Sequence, residues 1–195
     1  MPARSVDGSR RLLVVAATIV LAVAASASAS VVARAPAFHW LQPRPAPQSW
    51  KLARLPSGKA TFRYPSTWRP IRTDSGTVSV ALLGRRGSIR GYLNLTPRQG
   101  NETLANWPRF RIEHQGDEGA TEIHLIASAR RLAFRSGRGS CVIDSYRTSR
   151  ARYREIACLV AGARTTSVIV GAAPSRTWAR QATTIERAIA SLRTD

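Results

Sequence analysis

The chain of 195 residues contains two cysteines, Cys141 and Cys158, which fall on consecutive segments with the pattern of β-strands. These segments cover residues 140–146 and 152–161, and a short polar turn joins them. If the turn is centred between residues 149 and 150, Cys141 lies directly opposite Cys158, with Cα atoms roughly 4.5 to 5.5 Å apart. A disulfide can bridge that distance. We therefore expect a structural cross-strand disulfide, which fixes the register of an antiparallel hairpin.

The same register places Asp144 opposite Glu155, and it stacks Ile143 on Ile156 beside the bridge. Like charges directly opposite one another destabilise a sheet. We therefore expect neighbouring arginine side chains to neutralise the two carboxylates.

Short strand patterns separated by turn residues occur along most of the chain from residue 60. Besides the two strands above, they cover residues 60–64, 68–73, 77–83, 89–96, 121–126, 131–135 and 165–172. Consecutive strands with short turns indicate an antiparallel meander.

Two segments have the pattern of helices. The first begins near Asn106 or Trp107, because Pro108 is tolerated only in a first helical turn, and it ends around residues 116–119. The second follows Pro174 and carries one apolar stripe at spacings of three and four. The stripe consists of Trp178, Ala182, Ile185, Ile189 and Leu192. The sequence thus predicts an α+β fold, a mostly antiparallel β-sheet with two or more covering helices.

Residues 1–29 have the features of a signal peptide or a membrane anchor. A basic start is followed by an uncharged stretch and then by alternating alanine and serine. Cleavage after this run gives a secreted protein, whereas the whole apolar span of residues 12–33 is long enough for one membrane helix. Both alternatives remain open, and both place the bulk of the chain outside the cytoplasm.

Residues 34–49 contain four prolines and predict an extended linker before a single globular domain, residues 50–195. Proline at this density disfavours both helix and sheet. The linker also carries the isolated residues Phe38, His39, Trp40 and Leu41. These either pack on the domain or lie at a membrane interface, where tryptophan is common.

The charge of the chain is strongly basic, with 30 Lys and Arg residues against 11 Asp and Glu and a formal net charge of +19. Two predicted hairpins concentrate it, and their candidate anion-binding residues are Arg85, Arg86, Arg90, Arg147, Arg150, Arg152 and Arg154. Because guanidinium groups bind phosphate and carboxylate well, lipid head groups or an anionic wall polymer are candidate partners. The alternative is that these arginines are merely solvated and reflect coding composition. Nucleic acid is not favoured, because no aromatic–basic recognition motif is present.

The sequence contains no motif for catalysis, for a cofactor or for a metal. A disulfide removes both thiols as nucleophiles, and neither a G-x-S-x-G elbow nor a phosphate-binding glycine loop occurs. The histidines, His39, His114 and His124, lack the spacing of metal ligands. We therefore expect a protein that is not an enzyme, with no cofactor, no metal and no small-molecule substrate.

Residues 62–68 read Phe-Arg-Tyr-Pro-Ser-Thr-Trp and open a meander that a terminal helix follows much later. This Tyr-Pro-x-x-Trp turn resembles the PsbP-like α/β/α sandwich family over roughly residues 52–192. The family includes the extrinsic photosystem protein, Ran-binding transport factors and many small exported bacterial proteins. The resemblance implies the sandwich fold and a binding or accessory role without catalysis. It carries over no ligand or metal residue.

These observations favour a non-catalytic extracytoplasmic domain that binds an anionic component of the cell envelope through its basic hairpins. A second hypothesis is an assembly or stability factor for a membrane protein complex, which would use Trp107 and an acidic helix. A third is a hydrolase with an unrecognised site, in which His114 or His124 lies beside a hydroxyl and a carboxylate.

Overall fold

The computed structural model describes residues 36–41 and 46–195, which belong to one compact unit, Ala33–Asp195. The predicted signal peptide or anchor, residues 1–29 with the apolar span 12–33, lies outside the described residues. None of the helices in these described ranges is long and apolar enough to cross a membrane.

The centre of the fold is a seven-stranded sheet in which every neighbouring pair is antiparallel. In chain order its strands are β3 (Arg69–Ile71), β4 (Val78–Leu83), β5 (Ile89–Pro97), β6 (Thr121–Phe134), β7 (Gly137–Arg147), β8 (Arg152–Ala161) and β9 (Thr166–Pro174). Their order across the sheet is β3-β4-β5-β9-β8-β7-β6. Two meanders therefore meet at β5 and β9, and the chain between β5 and β6 crosses to the far edge of the sheet.

A second, three-stranded sheet contains β1 (Lys51–Arg54), β2 (Ala60–Tyr64) and β10 (Arg193–Thr194), with β2 in the middle. The strand predicted at residues 60–64 is present, but it does not join the first meander. The turn that contains Pro65 sends the chain into another sheet, where β2 pairs with two short strands that the sequence pattern did not indicate.

Helices α1 (Trp107–Asp117) and α2 (Trp178–Ala190) cover opposite faces of the large sheet. Trp107 of α1 packs with Val142 and Ala157, whereas Ile185 and Ile189 of α2 pack with the core on the other face. Because successive residues of a strand point to opposite faces, one strand supplies both cores. The predicted α+β architecture with two covering helices is confirmed.

The predicted disulfide is present between Cys141 and Cys158, which are direct partners in the register of β7 and β8. Their Cα atoms are 4.1 Å apart, and neither residue is exposed to solvent. The bridge lies on the face that α2 covers, beside the paired Ile143 and Ile156. The register predicted from a turn centred between residues 149 and 150 is therefore confirmed.

Strand β6 is one continuous strand where the sequence predicted two, at residues 121–126 and 131–135. It runs without a break from Thr121 to Phe134 along the edge of the sheet, but its pairing with β7 shifts at three places. Two of its residues, Glu122 and Arg131, have positive φ angles of 47° and 58°. These bulges absorb the irregular sequence between the two predicted segments, so the strand continues through them.

The packed unit begins earlier than the sequence indicated. Within the predicted linker, Pro36–Leu41 form a short 3₁₀ segment in which Phe38 and Leu41 are buried in the core beneath α2. Burial of these two apolar side chains stabilises the packing of the segment on the domain, since it removes a large apolar surface from water. The domain boundary near Trp50 is thus too late for this core. The structure does not describe residues 42–45 of the same segment.

Candidate functional site

The two arginine-rich hairpins lie at the same end of the large sheet. Tyr92 near the start of β5 pairs with Ala172 of β9, and Tyr153 at the start of β8 pairs with Pro174, the last residue of β9. The turns β4–β5 and β7–β8 are therefore both close to the carboxyl end of β9. Three strand spacings separate them, which corresponds to about 14 Å. We call this end of the sheet, with the two turns, the basic end.

The β4–β5 turn exposes both charge and apolar surface. Its tip is a 3₁₀ turn at Arg85–Gly87, and Arg85, Arg86 and Arg90 are all exposed. Leu83 and Ile89 are partners at the base of the tip, and they are 40% and 38% exposed. Five neighbouring side chains thus offer guanidinium groups next to two aliphatic groups.

The β7–β8 turn differs, because several of its arginines already have partners. Arg147 and Arg152 both form salt bridges with Glu122 at the start of β6, the first through its Nε at 2.8 Å. The guanidinium of Arg154 lies over the Trp178 ring, 5.6 Å from its centroid. Its Nε is buried and has no hydrogen-bond partner within the part of the chain that the structure describes. Arg150 at the tip is exposed. Of the four predicted residues, Arg154 is therefore a packing residue that faces α2.

Sequence patterns missed one cation at the basic end. Arg176 lies in the 3₁₀ turn Ser175–Thr177 that directly follows β9, and it is exposed. It is distant in sequence from both hairpins, so only the strand order places it beside them. The antiparallel pairing of β9 with β5 and β8 would have indicated this position.

A cleft of about 640 Å³ lies between α1 and the sheet. Helix α1 packs against β6 and β7, so the same face of β4, β5 and β9 remains partly uncovered. We call this space the α1 cleft. Its volume is within the range of roughly 300–1,000 Å³ that is common for small-molecule sites.

Hydroxyl and amide groups form the sheet side of the α1 cleft. Ser79 of β4 donates a hydrogen bond from Oγ to Thr73 Oγ1 (3.0 Å) and accepts one from Asn94 Nδ2 (2.9 Å). The hydroxyl of Tyr92 lies 3.3 Å from the same Oγ. Ser79 is therefore the centre of a polar network that connects β4, β5 and the preceding loop.

The helix side of the cleft is aromatic. Trp107 stacks on Phe110 with ring centroids 6.0 Å apart, and Phe110 stacks on His114 at 5.6 Å. Trp107 itself is buried, and its indole Nε1 donates a hydrogen bond to the Ala157 carbonyl at 3.1 Å. Phe110 and His114 are the rings that reach the open part of the cleft.

Four buried polar side chains form the floor between α1 and the sheet. Arg111 binds Glu155 Oε1 through both Nε and Nη2, each at 2.7 Å. Gln115 Nε2 donates to Asp144 Oδ1 and to Glu155 Oε1, each at 3.2 Å. Asp144 Oδ2 and Gln115 Oε1 have no hydrogen-bond partner among the described residues. Arg111 of the helix thus provides the expected arginine counterion for Glu155. Asp144, in contrast, is bound only by the neutral amide of Gln115 among the described residues.

Burial dominates the electrostatics of this floor. Loss of solvation and the nearby charge of Glu155 raise the pKa of Asp144 to about 7, although Gln115 and Arg111 oppose the shift. The same two causes raise the pKa of Tyr146 above its usual range, and burial does so for Tyr92. Asp144 therefore keeps its proton to a much higher pH than an ordinary aspartate does.

The buried face of α1 was not evident from the sequence. Its buried residues are Trp107, Pro108, Arg111 and Gln115, while Phe110 and Ile112 are half-buried. Arginine and glutamine are usually exposed, so the apolar residues of this segment do not by themselves indicate the buried face. The spacing of four between 107, 111 and 115, with the paired acids on the facing strands, is the signal that identifies it.

The structure buries the tryptophan that the assembly-factor hypothesis required at the surface. Trp107 is only 2% exposed, so it cannot contact a partner. Much of the acidic segment is also already paired: Glu102 accepts the backbone N–H groups of Gln99 and Gly100, and Glu113 pairs with Arg109.

For the hydrolase hypothesis, the structure does bring some of the required groups together, because the α1 cleft contains His114, a carboxylate and several hydroxyls. His114 Nε2 lies 3.5 Å from Glu118, and its ring stacks on Phe110. Among the described contacts, none joins His114 to a hydroxyl. A nucleophile and its base should lie within hydrogen-bond reach, and His114 has no hydroxyl at that distance among its contacts in the described ranges. His124 is exposed on β6, and the described residues contain no cluster suited to a metal ion.

Two solved structures are similar to this chain. The cyanobacterial PsbP protein CyanoP from Synechocystis is similar with a TM-score of 0.54 and 11% identity, over 77% of this chain and 95% of that one. LpqN of Mycobacterium tuberculosis, described as involved in cell envelope biogenesis, gives a TM-score of 0.45 and 11% identity over 78% and 88%. Neither a protein-family model nor a curated protein sequence matches the chain.

The chain therefore has a PsbP-like fold, as the Tyr-Pro-x-x-Trp turn indicated. The physical role of that turn is now visible. The Trp68 N–H donates to the Pro65 carbonyl at 3.0 Å, and the indole is buried against Gly91 of β5. An identity of 11% to CyanoP shows the fold alone.

Proposed function

We propose that this domain is a non-catalytic extracytoplasmic binding module that docks its basic end on an anionic lipid surface of the cell envelope. The observation that carries the proposal is the strand order, which places the β4–β5 and β7–β8 turns at one end of the sheet. The arginines of these turns and Arg176 are far apart in sequence, but they lie at the same end of the sheet and contribute to one surface.

The charges of this surface favour phosphate groups. Arg85, Arg86 and Arg150 are exposed, and no salt bridge joins any of them to a described residue. Exposed guanidinium groups near an anionic leaflet contribute about 1 kcal/mol each. Glu122 neutralises part of the charge of Arg147 and Arg152 and holds their side chains in place.

Apolar side chains distinguish a lipid surface from a soluble wall polymer. Leu83 and Ile89 lie side by side, and both are more than a third exposed. Aliphatic groups flanked by cations are suited to the boundary between head groups and acyl chains. A hydrated polyanion has no apolar layer that would bury them.

The test is sedimentation with lipid vesicles of defined charge. The compact unit Ala33–Asp195 is used, so that the apolar segment upstream does not itself enter the bilayer. We expect binding to phosphatidylglycerol vesicles, little binding to phosphatidylcholine vesicles, and a loss of binding as salt rises from 50 to 500 mM, because salt screens exposed charges.

Two double variants separate the basic end from overall charge. Arg85→Gln with Arg86→Gln should weaken vesicle binding about tenfold, whereas Arg109→Gln with Arg193→Gln removes the same charge elsewhere and should change it little. Equal effects of the two would show that the attraction is not specific to this surface. Binding to teichoic acid but not to vesicles would contradict the lipid proposal.

A further inference from the structure

The α1 cleft has features of a ligand site that the basic end does not explain. It is a concave space of about 640 Å³ on the face of the sheet that α1 leaves partly uncovered. Its sheet side is built from hydroxyl and amide groups, and its helix side presents the stacked rings of Phe110 and His114.

The charge of the cleft is opposite to that of the chain. Its lining includes four acids and two arginines, namely Asp74, Glu102, Glu118, Glu155, Arg72 and Arg111. One arginine, Arg111, is already bound to Glu155 at 2.7 Å and lies 3.6 Å from Glu118. A chain with a net charge of +19 thus has a cleft that repels anions.

The polar groups of the sheet side retain capacity for a ligand. Asn94 donates through Nδ2 to Ser79, while its Oδ1 forms no hydrogen bond to a described residue. Ser79 is 2% exposed and holds the Asn94 amide and the Tyr92 hydroxyl in fixed positions. A planar amide beside a phenol can both donate to and accept from neighbouring hydroxyl groups of one ligand.

The aromatic side complements this hydrogen-bonding wall. The face of an aromatic ring is electron-rich and attracts weakly positive C–H groups. A ring that carries hydroxyls at its rim and C–H groups on its faces would therefore pack on Phe110 and hydrogen-bond to Asn94 and Tyr92 at the same time.

We infer that the α1 cleft binds a neutral polyhydroxylated ligand, of the chemical class of a saccharide with one or two rings. The ligand has its C–H face against Phe110 and His114 and its hydroxyls toward Asn94 and Tyr92. This site is separate from the basic end, so it adds a second recognition function to the one proposed above. It also differs from the sequence expectation of no small-molecule partner.

The experiment uses the full chain, kept soluble in a detergent without a sugar head group. A panel of neutral mono- and disaccharides containing glucose, galactose, mannose and N-acetylglucosamine is titrated by calorimetry and by ¹H–¹⁵N NMR. We expect saturable binding of at least one member, with shifts of the side-chain amide of Asn94 and of the backbone amides around Phe110. The indole N–H of Trp107, which is buried behind them, reports on the same cleft.

Matched variants make the inference falsifiable. Asn94→Ala and Phe110→Leu should each weaken binding about tenfold while retaining a cooperative thermal transition, and Asn101→Ala on an exposed loop should bind like the unchanged chain. If no saccharide in the panel binds at millimolar concentration, or if both cleft variants bind normally, the inference is wrong. Binding of a polyamine in place of the saccharides would also overturn it.

Discussion

Asp144 lies directly opposite Glu155 across β7 and β8, and both carboxyl groups are buried. Gln115 donates to both acids, but the guanidinium of Arg111 contacts only Glu155 at hydrogen-bond distance. One acid thus has a full counterion and the other does not. The same register pairs Cys141 with Cys158 on the other face, so one hairpin carries a covalent link on one side and a charge imbalance on the other.

This imbalance predicts a pH-dependent stability. The pKa of Asp144 is about 7 in the folded protein, against an ordinary value of 3.8. The folded state therefore holds this proton more tightly than the unfolded state, and its stabilising contribution is complete below about pH 4 and lost as pH rises through 7. Asp144→Asn stays neutral at every pH. Its free energy of unfolding relative to the unchanged chain should increase by about 1–4 kcal/mol between pH 4.5 and pH 8, measured by urea denaturation.

The control for that measurement is Glu113→Gln on the exposed side of α1, which should give a nearly constant difference at the two pH values. If Asp144→Asn also gave a constant difference, Asp144 would have an ordinary pKa and the account of the buried pair would fail.

The second prediction concerns the counterion itself. Arg111→Met leaves Glu155 buried without its cation and should lower the free energy of unfolding by about 3–5 kcal/mol. Arg109→Met, on the exposed side of the same helix, should cost less than about 1 kcal/mol. Adding Glu155→Gln to Arg111→Met should restore much of the loss. No recovery in chemical denaturation would show that Arg111 acts through packing instead of charge.

The third prediction tests the disulfide. The bridge closes a loop with a sequence separation of 17 residues, and a loop of this size stabilises a protein by about 3 kcal/mol in the chain-entropy model. Replacing both cysteines by alanine should lower the free energy of unfolding by this amount. Mass analysis of the oxidised, folded chain checks the premise, since two free thiols would contradict the bridge.

The fourth prediction concerns the contact between Trp68 and Gly91. A Cβ at position 91 would lie 2.8 Å from Trp68 Cη2, so the indole would have to shift within the core. Gly91→Ala should therefore destabilise the domain by about 1–3 kcal/mol in denaturant unfolding. At Gly116 of α1 the nearest atom would be Ile123 Cδ1 at 3.8 Å, an ordinary contact. There, Gly116→Ala should be neutral or stabilising because alanine favours helix. A lower free energy of unfolding for Gly116→Ala would show that close packing against the added Cβ does not explain the effect at Gly91.

The fifth prediction separates insertion into lipid from simple attraction to charge. Leu83→Ser with Ile89→Ser removes the two exposed aliphatic groups but leaves the arginines. The affinity for phosphatidylglycerol vesicles, measured by sedimentation, should fall about tenfold, because transfer of each aliphatic side chain out of water contributes favourable free energy to binding. Binding to a soluble polyanion such as polyphosphate should be unchanged. An equal loss with both ligands would show that the variant damages the turn.

Much of the fold was predictable because it depends on local pattern. The hairpin that contains Cys141 and Cys158 has a short turn and regular alternation, so its register follows from counting residues. Helix α2 was equally clear, since its stripe of Ile185 and Ile189 is apolar and faces a single core. In these elements the local and tertiary preferences agree.

The strand order and the cleft could not be obtained in the same way. Nothing local distinguishes a β5 that pairs with β6 from one that pairs with β9, because the choice depends on where the intervening helix packs. The sequence of helix α1 does not indicate which face is buried, since Arg111 and Gln115 occupy buried positions where apolar residues are expected. The α1 cleft depends on both features and was therefore absent from the sequence expectations.

Strand β6 has a consequence for behaviour in solution. A long edge strand normally offers a row of unpaired N–H and C=O groups to which a second copy can add, and this one also exposes Leu125 and Ile126 by 50% and 47%. The three shifts in its pairing and the positive φ angles of Glu122 and Arg131 interrupt that row. Two copies aligned at this edge could form backbone hydrogen bonds only over short stretches of the strand. The bulges thus disfavour edge-to-edge pairing of two copies, although the edge is apolar.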